Sequence, residues 1–187
     1  MLKRIFDLSL ALLAMILLLP VLLLVYLLVR ITSRGPAIYW SDRIGKNNVV
    51  FRMPKFRSMS TDTPVLATHL LQNPQSYLSP IGALLRKTSL DELPQLWSIL
   101  KGDMSLVGPR PALFNQNDLI KLRTERGIHH LVPGLTGLAQ INGRDELSIP
   151  EKVKLDEEYL NRRSIFLDIK ILAATFFGVL ARNGISH

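Results

Sequence analysis

Residues 8–29, LSLALLAMILLLPVLLLVYLLV, form an apolar run that decides the fold class of this chain. As one continuous helix the run would extend about 33 Å, enough to cross the roughly 30 Å hydrocarbon core of a bilayer. The run is too long for the apolar part of a signal peptide, and no small-x-small cleavage site follows it. The sequence therefore predicts a membrane segment over residues 1–34 and a globular domain over residues 35–187.

Two features of this segment bear on its topology. Pro20 lies in the middle of the run, where it removes a backbone hydrogen bond and bends or breaks the helix. Basic residues flank both ends, with Lys3 and Arg4 before the run and Arg30 and Arg34 after it. Because positive charge favours the cytoplasmic side, both ends are predicted there. A helix that re-enters the same leaflet and a single span kinked at the proline both remain open on these residues alone.

Composition limits the remaining possibilities. The 187 residues allow one domain with a membrane element, and the net charge of +8 implies anionic partners. The basic cluster extends to Arg43 and Lys46, which puts the domain in the cytosol. We expect no nucleic-acid partner, because the basic residues form neither an aromatic-interleaved RNA motif nor a recognition-helix pattern. With no Cys in the sequence, disulfides and thiolate metal sites are excluded.

The fold class predicted for the chain is α+β and mostly helical. Short strands are predicted at residues 37–40 and 49–53 around a turn at 45–48, and a surface loop at 60–79. Helices are predicted from Pro80 as a first helical residue, over about 92–101, near 115–127, and from the capping box of Ser148 and Glu151 to about 163. Residues 133–137 are predicted to form a turn-rich connection.

The last predicted helix, residues 165–182, has an unusual distribution of polar residues. Asp168, Thr175 and Arg182 are seven residues apart and line one stripe, while Lys170 interrupts an otherwise apolar remainder. A core helix of the small domain and an amphipathic helix at the membrane interface both fit this pattern.

The candidate chemistry centres on Asp91 and Glu92, which precede a helical run. Ser89 and Glu92 match a capping box, in which case Glu92 would only cap a helix. Pro94 would then fall inside that helix, where it costs about 3 kcal/mol. With Asp91 as the N-cap, Pro94 would occupy the first turn, and the helix dipole would favour ionised carboxylates. One carboxylate is enough for capping, so the second suggests a catalytic or metal-binding role.

Basic residues near Pro, Gly or small residues accompany this acidic pair, namely Lys55, Arg57, Arg86, Lys87, Arg110 and Arg144. An ionised carboxylate among cations, beside a second carboxylate that holds Mg²⁺, suits phosphoryl transfer through an aspartyl phosphate. Arg110 lies between Pro109 and Pro111, so its backbone is restricted and a bidentate phosphate contact would be pre-organised. The adjacent His129 and His130 lack a third ligand in sequence, and a surface pair is favoured over a metal site.

Four motifs in this order resemble the bacterial sugar transferases, the monotopic phosphoglycosyl transferases, and in particular their small, PglC-like members. The motifs are KFRSM at 55–59, SLDELPQL at 89–96, KGDMSLVGPRP at 101–111 and PGLTGLAQINGR at 133–144. The similarity covers almost the whole chain, from the N-terminal apolar helix to residues 167–170.

This resemblance implies transfer of a sugar 1-phosphate from a UDP-sugar to polyprenyl phosphate, with release of UMP. Asp91 would attack the β-phosphate and carry the phosphosugar, and Glu92, with Asp91, would bind Mg²⁺. The predicted substrate-binding residues are Lys55, Arg57, Arg86, Pro109, Arg110, Pro111, Gln140 and Arg144. The resemblance further implies a monotopic protein of the bacterial inner membrane, with a re-entrant helix, interfacial helices, a cytosolic catalytic domain and downstream glycosyltransferases as partners.

The chain departs from the family pattern at two positions. Leu19 replaces the Ser that precedes the helix-breaking proline, and Val132 replaces a basic residue before the Pro-Gly-Leu-Thr-Gly motif. The first departure removes one aid to the break, and the second puts a phosphate or lipid contact in doubt. Two other functions remain open: a conventional glycosyltransferase that releases UDP, and a membrane-anchored scaffold of a polysaccharide assembly complex.

Overall fold

Short helices surround two small sheets in the computed structural model, which describes residues 2–64, 73–143 and 146–181. The helices are α1 (Leu2–Leu17), α2 (Leu19–Thr32), α3 (Gly82–Thr88), α4 (Leu96–Lys101), α5 (Asn117–Glu125), α6 (Leu138–Ile141), α7 (Ile149–Arg162) and α8 (Ile165–Ala181). The strands are β1 (Ile38–Ile44), β2 (Val50–Phe56), β3 (Ser105–Val107) and β4 (Gly134–Thr136). The prediction of a mostly helical α+β fold is confirmed.

The apolar run forms a bent pair of helices. The axes of α1 and α2 meet at 62°, and Pro20 lies in the first turn of α2, where its missing N–H is not needed. Among the described helices, none alone is long and apolar enough to cross a membrane, and α1 and α2 meet that test only together. The predicted break at Pro20 is therefore confirmed, while the re-entrant path stays a prediction.

The two sheets bring distant segments together. Strands β1 and β2 form an antiparallel hairpin in which Tyr39 lies opposite Lys55. Strands β3 and β4 are parallel, with Ser105 opposite Gly134. The main core lies between these sheets and α1, and its fully buried side chains include Ile99, Met104 and Ile171. Ala11 of α1 is fully buried in the same core, so the N-terminal helix is part of it.

The C-terminal helix α8 has its polar residues on the inside. Asp168 is 1% exposed, and the Thr175 hydroxyl lies 2.7 Å from the hydroxyl of Thr136. Phe166 and Phe177 are about two-thirds exposed on the other side. This is the reverse of the pattern expected at a water-exposed surface. The predicted polar stripe is therefore the packed side of the helix. Its third member, Arg182, lies outside the described residues.

Several local predictions were wrong in detail. The helix predicted from Pro80 begins at Gly82, and residues 92–101 divide into a 3-10 turn, Leu90–Gln95, and α4. The turn-rich connection at 133–137 contains strand β4, because residues 134–136 pair with β3. The capping box is confirmed, with the Ser148 amide donating to Glu151 over 2.8 Å. The predicted boundary at residue 34 falls between α2 and β1, and the division into two domains there stays a prediction.

Candidate active site

The acidic pair lies in a tight 3-10 turn between α3 and α4. Ser89 ends α3 in the left-handed conformation (φ 57°), and this reversal starts the turn that carries Asp91 and Glu92. Ser89 makes no side-chain capping bond, so the predicted capping box is absent, and Asp91 is not the N-cap. Pro94 is accommodated because this 3-10 turn is short and no long helix is interrupted. Neither helix register considered from the sequence, with Ser89 or with Asp91 as the N-cap, therefore applies.

Asp91 is buried, and the pKa of its carboxyl is higher than usual. The residue is 8% exposed, and burial raises the pKa of its carboxyl to about 6, against the opposing effect of the nearby Lys55. Glu92 raises it further, whereas Arg86 and Arg110 lower it. The loss of solvation outweighs the attraction of the cations, but a carboxyl with this pKa is still mostly ionised at neutral pH, so the predicted ionised form of Asp91 stays a prediction.

Glu92 joins three segments of the chain. Its Oε1 accepts hydrogen bonds from Lys55 Nζ of β2 at 3.0 Å and from Arg110 Nη2 at 2.7 Å. Burial lowers the pKa of Lys55, and its attraction to Glu92 opposes that shift. The two cations are thus fixed beside Asp91 before any substrate binds, which is how pre-organised electrostatic sites are built.

The backbone of the Pro109–Arg110–Pro111 segment is anchored at each of its three carbonyls. The Gly134 amide donates to the Pro109 carbonyl at 2.9 Å, Arg123 Nη1 to that of Arg110 at 2.8 Å, and Arg43 Nη1 to that of Pro111 at 3.2 Å. Arg123 is itself held by Asp156, 2.6 Å away. The predicted restriction of Arg110 by its flanking prolines is thus reinforced by contacts from α5, β1 and β4.

Arg43 is a site residue that the sequence assigned only to the basic membrane flank. Its guanidinium donates to Ser41 Oγ at 2.9 Å as well as to Pro111, and its charge contributes to lowering the pKa of Lys55. The signal was available in the strand pattern. Arg43 and Tyr39, the partner of Lys55, are four residues apart on β1, so both lie on the face of the hairpin that carries Lys55.

The other predicted binding residues lie at varying distances from the acidic pair. Arg86, at the end of α3, is close enough to affect Asp91, and its Nη1 lies 3.5 Å from the sulfur of Met59. Arg57 is buried and donates to the Arg34 carbonyl at 2.7 Å, in the connection that follows α2. Its role in substrate binding stays a prediction.

The last motif contributes Gln140, and its neighbour Arg144 lies outside the described residues. Gln140 is buried on α6, and its amide has no hydrogen-bond partner among the described residues. A Cβ at Gly137 would meet both the Gly108 carbonyl and the Gln140 amide oxygen, so this motif packs directly against the start of the Pro–Arg–Pro segment.

A divalent ion at this site needs coordination from a bound phosphate as well as from the protein. In the described part of the chain no three His, Cys, Asp or Glu side chains come together, and the His129–His130 pair likewise has no third ligand there. Mg²⁺ is commonly bound through one or two carboxylates together with substrate phosphates. Asp91 and Glu92 supply the two carboxylates, so the residues present fit Mg²⁺ bound with a phosphate ligand.

This arrangement of charge can receive a phosphate and act on it. One buried carboxylate lies among cations from β2, α3 and the Pro–Arg–Pro segment, and a second carboxylate holds two of those cations in place. Such a site can bind an anionic group, neutralise its charge and present an oxygen nucleophile to it.

Comparisons with known proteins relate this chain to sugar transferases. The chain is 42% identical over 188 residues to the uncharacterised sugar transferase EpsL of Bacillus subtilis, and the match covers 100% of the chain and 91% of that protein. It is 40% identical to the UDP-glucose:undecaprenyl-phosphate glucose-1-phosphate transferase of Escherichia coli, over 95% of the chain and 40% of that protein. It is 37% identical to the exopolysaccharide production protein ExoY of Rhizobium meliloti, over 98% of the chain and 88% of that protein.

Several other relatives are longer, and the chain spans only 35–42% of their length. The family model described as bacterial sugar transferase matches residues 1–182, which include every element described above. The chain belongs to the bacterial sugar transferase family.

Proposed function

We propose that this protein transfers a sugar 1-phosphate from a UDP-sugar to polyprenyl phosphate through a covalent intermediate on Asp91, and releases UMP. The names of its relatives support the acceptor and the transferred group, since several are undecaprenyl-phosphate sugar phosphotransferases. The observation that carries the proposal is the buried Asp91 carboxylate beside Glu92, which holds Lys55 and Arg110 in place.

In the first step, an Asp91 carboxylate oxygen attacks the β-phosphorus of the UDP-sugar. An aspartyl–phosphorus bond forms, the bond from that phosphorus to the bridging oxygen breaks, and UMP leaves with the electron pair. Lys55 and Arg110 balance the negative charge of the diphosphate, and the anchored carbonyls keep the Arg110 backbone fixed.

In the second step, a phosphate oxygen of the polyprenyl phosphate attacks the same phosphorus. The aspartyl–phosphorus bond breaks, the ionised Asp91 is regenerated, and the product is a polyprenyl-diphosphate sugar. Asp91 and Glu92 would hold Mg²⁺ with the phosphates, and the ion would supply charge neutralisation. The remaining cations, Arg43 and Arg86, contribute positive potential around the site.

The nucleotide product tests this proposal. Purified full-length protein is mixed with a panel of UDP-sugars and polyprenyl phosphate, with Mg²⁺ present, and the released nucleotide is identified. UMP is expected, whereas UDP would indicate a conventional glycosyltransferase. No turnover with any donor would favour a membrane-anchored scaffold.

The pH profile of kcat/KM is expected to be bell-shaped. Activity should rise as pH increases through about 6, because burial raises the pKa of Asp91 to that value and only the ionised carboxylate attacks. Activity should fall again at alkaline pH, because burial lowers the pKa of Lys55 below 10.5 and the neutral amine no longer balances phosphate charge. Lys55→Arg should move the alkaline limb upward and leave the acid limb in place. An acid limb near pH 4 would contradict the assignment to Asp91.

We also propose that α1 and α2 enter and leave the cytoplasmic leaflet of the bacterial inner membrane, with the catalytic domain in the cytosol. Arg4 contacts α4, and Val29 near the end of α2 packs against Phe56 of β2. Both ends of the helical pair therefore touch the same domain, which supports the re-entrant path. The exposed aromatic side of α8 would lie at the lipid interface.

Pro20→Leu is expected to convert part of the protein to a membrane-spanning form and to lower activity. The substitution restores an uninterrupted apolar helix of spanning length, which would carry Lys3 and Arg4 away from the domain. Tags at Met1 and His187 should both be reachable only from the cytosol in the parent protein. In the variant, part of the Met1 tag should be reachable from the periplasm. Leu19→Ser, which keeps Pro20, is the control and should change neither property. A periplasmic Met1 tag in the parent protein would contradict the re-entrant path.

A further inference from the structure

The first turns of α1 hold the helix that follows the acidic pair. Arg4 donates from Nη1 to the Ile99 carbonyl at 2.6 Å and from Nη2 to the Leu100 carbonyl at 2.9 Å. Carbonyls in the last turn of a helix lack hydrogen-bond partners within that helix and carry partial negative charge. A guanidinium at this place supplies both hydrogen-bond donors and positive charge. This helix, α4, directly follows the 3-10 turn of Asp91 and Glu92. Arg4 therefore fixes the far end of the nucleophile segment.

The same turns of α1 hold the strand that leads to Arg110. Asp7 is 3% exposed and accepts hydrogen bonds from Ser105 Oγ at 2.8 Å and from the Leu106 amide at 3.3 Å. Strand β3 continues through Gly108 into the Pro–Arg–Pro segment, and a Cβ at Gly108 would lie 2.6 Å from the Val132 carbonyl. With so little free space, a shift of β3 would be passed on to Arg110.

A partly buried network fixes Asp7 in turn. Lys3 Nζ lies 2.7 Å from Asp168 Oδ2 of α8 and 3.6 Å from Asp7 Oδ1. The Tyr159 hydroxyl of α7 lies within hydrogen-bond distance of Asp168 Oδ1, at 2.7 Å, and of the Val107 carbonyl of β3, at 3.1 Å. Burial raises the pKa of Tyr159, so its hydroxyl stays protonated and remains a donor. None of these contacts is to Asp91 or Glu92.

We infer that Lys3, Arg4 and Asp7 form a clamp that sets the distance between the acidic pair and Arg110. The two segments held by the clamp meet at the 2.7 Å contact between Glu92 and Arg110. These three are positioning residues, and the inference rests on the reaction proposed above. The N-terminal helix then has two functions: it anchors the protein in the membrane and it completes the geometry of the site.

Membrane anchoring alone does not account for these contacts. Basic residues at a membrane interface interact with water and lipid phosphates, and their attraction is not directional. Arg4 and Lys3 instead make hydrogen bonds to acceptors of the protein, and Asp7 is a buried carboxylate next to the apolar run. A buried carboxylate is costly unless it is paired and hydrogen-bonded, and here it is both.

Arg4→Gln and Asp7→Asn test the clamp in the full-length protein, by measuring UMP release from a UDP-sugar in the presence of polyprenyl phosphate. Each is expected to lower kcat by at least about tenfold, because misplacement by about 1 Å costs on the order of 100-fold. The KM for the UDP-sugar should change less than kcat. Arg4→Lys, which keeps one donor, should recover part of the loss. The matched control is Arg30→Gln, at the other end of the helical pair, where the exposed guanidinium donates to the Gly35 carbonyl at 3.1 Å. It should stay within about twofold of the parent.

A double-mutant comparison separates positioning from general destabilisation. Each substitution is repeated in an Arg110→Lys background. If the clamp acts through Arg110, Asp7→Asn should cost much less there than in the parent protein. The inference would be overturned if the losses in kcat from the clamp substitution and from Arg110→Lys simply multiplied in the double variant. A loss below about twofold for both Arg4→Gln and Asp7→Asn would overturn it as well. Should Asp7→Asn fail to fold, Ser105→Ala removes one of its two contacts with β3 and decides in its place. Absence of UMP release by the parent protein would instead count against the proposed function.

Discussion

Asp91→Asn is expected to abolish turnover, by about four or more orders of magnitude, while leaving the fold intact. The amide has no anionic oxygen with which to attack phosphorus, although it matches the carboxylate in size. Parent protein incubated with a UDP-sugar and no lipid acceptor should gain the mass of one phosphosugar on the peptide containing Asp91. The variant should gain none. More than a few per cent of residual activity in the variant would rule out the covalent route.

The same substitution should stabilise the protein at neutral pH. Because burial raises the pKa of Asp91 from 3.8 to about 6, the folded state favours the protonated form. That stability is fully present below pH 3.8 and is lost as pH rises through about 6. Ionised Asp91 then costs roughly 3 kcal/mol at pH 7.5, and an amide avoids this cost. The unfolding temperature of Asp91→Asn should exceed that of the parent by several degrees at pH 7.5, with the difference shrinking below pH 4.

Asp118→Asn is the matched control for both measurements. Asp118 is exposed in the first turn of α5 and lies outside the motifs that form the site. A surface charge at a helix start contributes at most about 1 kcal/mol, so stability should change little and activity not at all. A lower unfolding temperature for Asp91→Asn at every pH would show that the buried carboxylate stabilises the fold, contrary to its raised pKa.

The residues of the acidic pair and the Pro–Arg–Pro segment could be selected from the sequence because their chemistry is local. Adjacent carboxylates and a restricted Arg110 are visible within a few residues. The environment of Asp91 could not be predicted in this way, because its raised pKa depends on burial by segments distant in sequence. Likewise, the carbonyl contacts of Arg43 and Arg123 depend on how β1 and α5 fold back onto residues 109–111.

The N-terminal basic residues show a different limit of sequence reasoning. Counting charges around an apolar run treats Lys3 and Arg4 as membrane flanks, because charge alone does not distinguish lipid phosphates from helix carbonyls. Asp7 lies one residue before the run, and no role was predicted for it from the sequence. In the fold it becomes the contact between α1 and β3. A carboxylate next to an apolar segment, with two cations nearby, is a signal that could have predicted this packing.

Tertiary packing also explains the local errors. Residues 133–137 read as a turn because of Pro133, Gly134 and Gly137, yet residues 134–136 form a strand because they pair with β3. The same glycines allow this close approach: a Cβ at Gly134 would lie 2.1 Å from the Gly108 amide nitrogen. The turn at 90–95 was predicted as a regular helix because the sequence does not show that Ser89 adopts a left-handed conformation.

Glu92→Gln is the second substitution with a large expected effect, and its effect on stability should be opposite to that of Asp91→Asn. Glu92 Oε1 binds both Lys55 and Arg110, so the amide leaves a largely buried ammonium without its nearest anion. Loss of charged hydrogen bonds of this kind costs about 2–3 kcal/mol, and the unfolding temperature should fall. The pKa of Lys55 should also decrease further, since its attraction to Glu92 now opposes the effect of burial.

Activity of Glu92→Gln should fall by about two to three orders of magnitude, because the substitution loosens two cations and removes one carboxylate proposed to hold Mg²⁺. The Mg²⁺ concentration needed for half-maximal rate should rise, which a purely structural loss would not change. Glu157→Gln is the matched control, since it alters an exposed ion pair with Arg126 at 2.6 Å, where such pairs contribute little. If Glu92→Gln retains the Mg²⁺ dependence of the parent protein while losing rate, Glu92 acts only by holding Lys55 and Arg110, and the metal is bound without it.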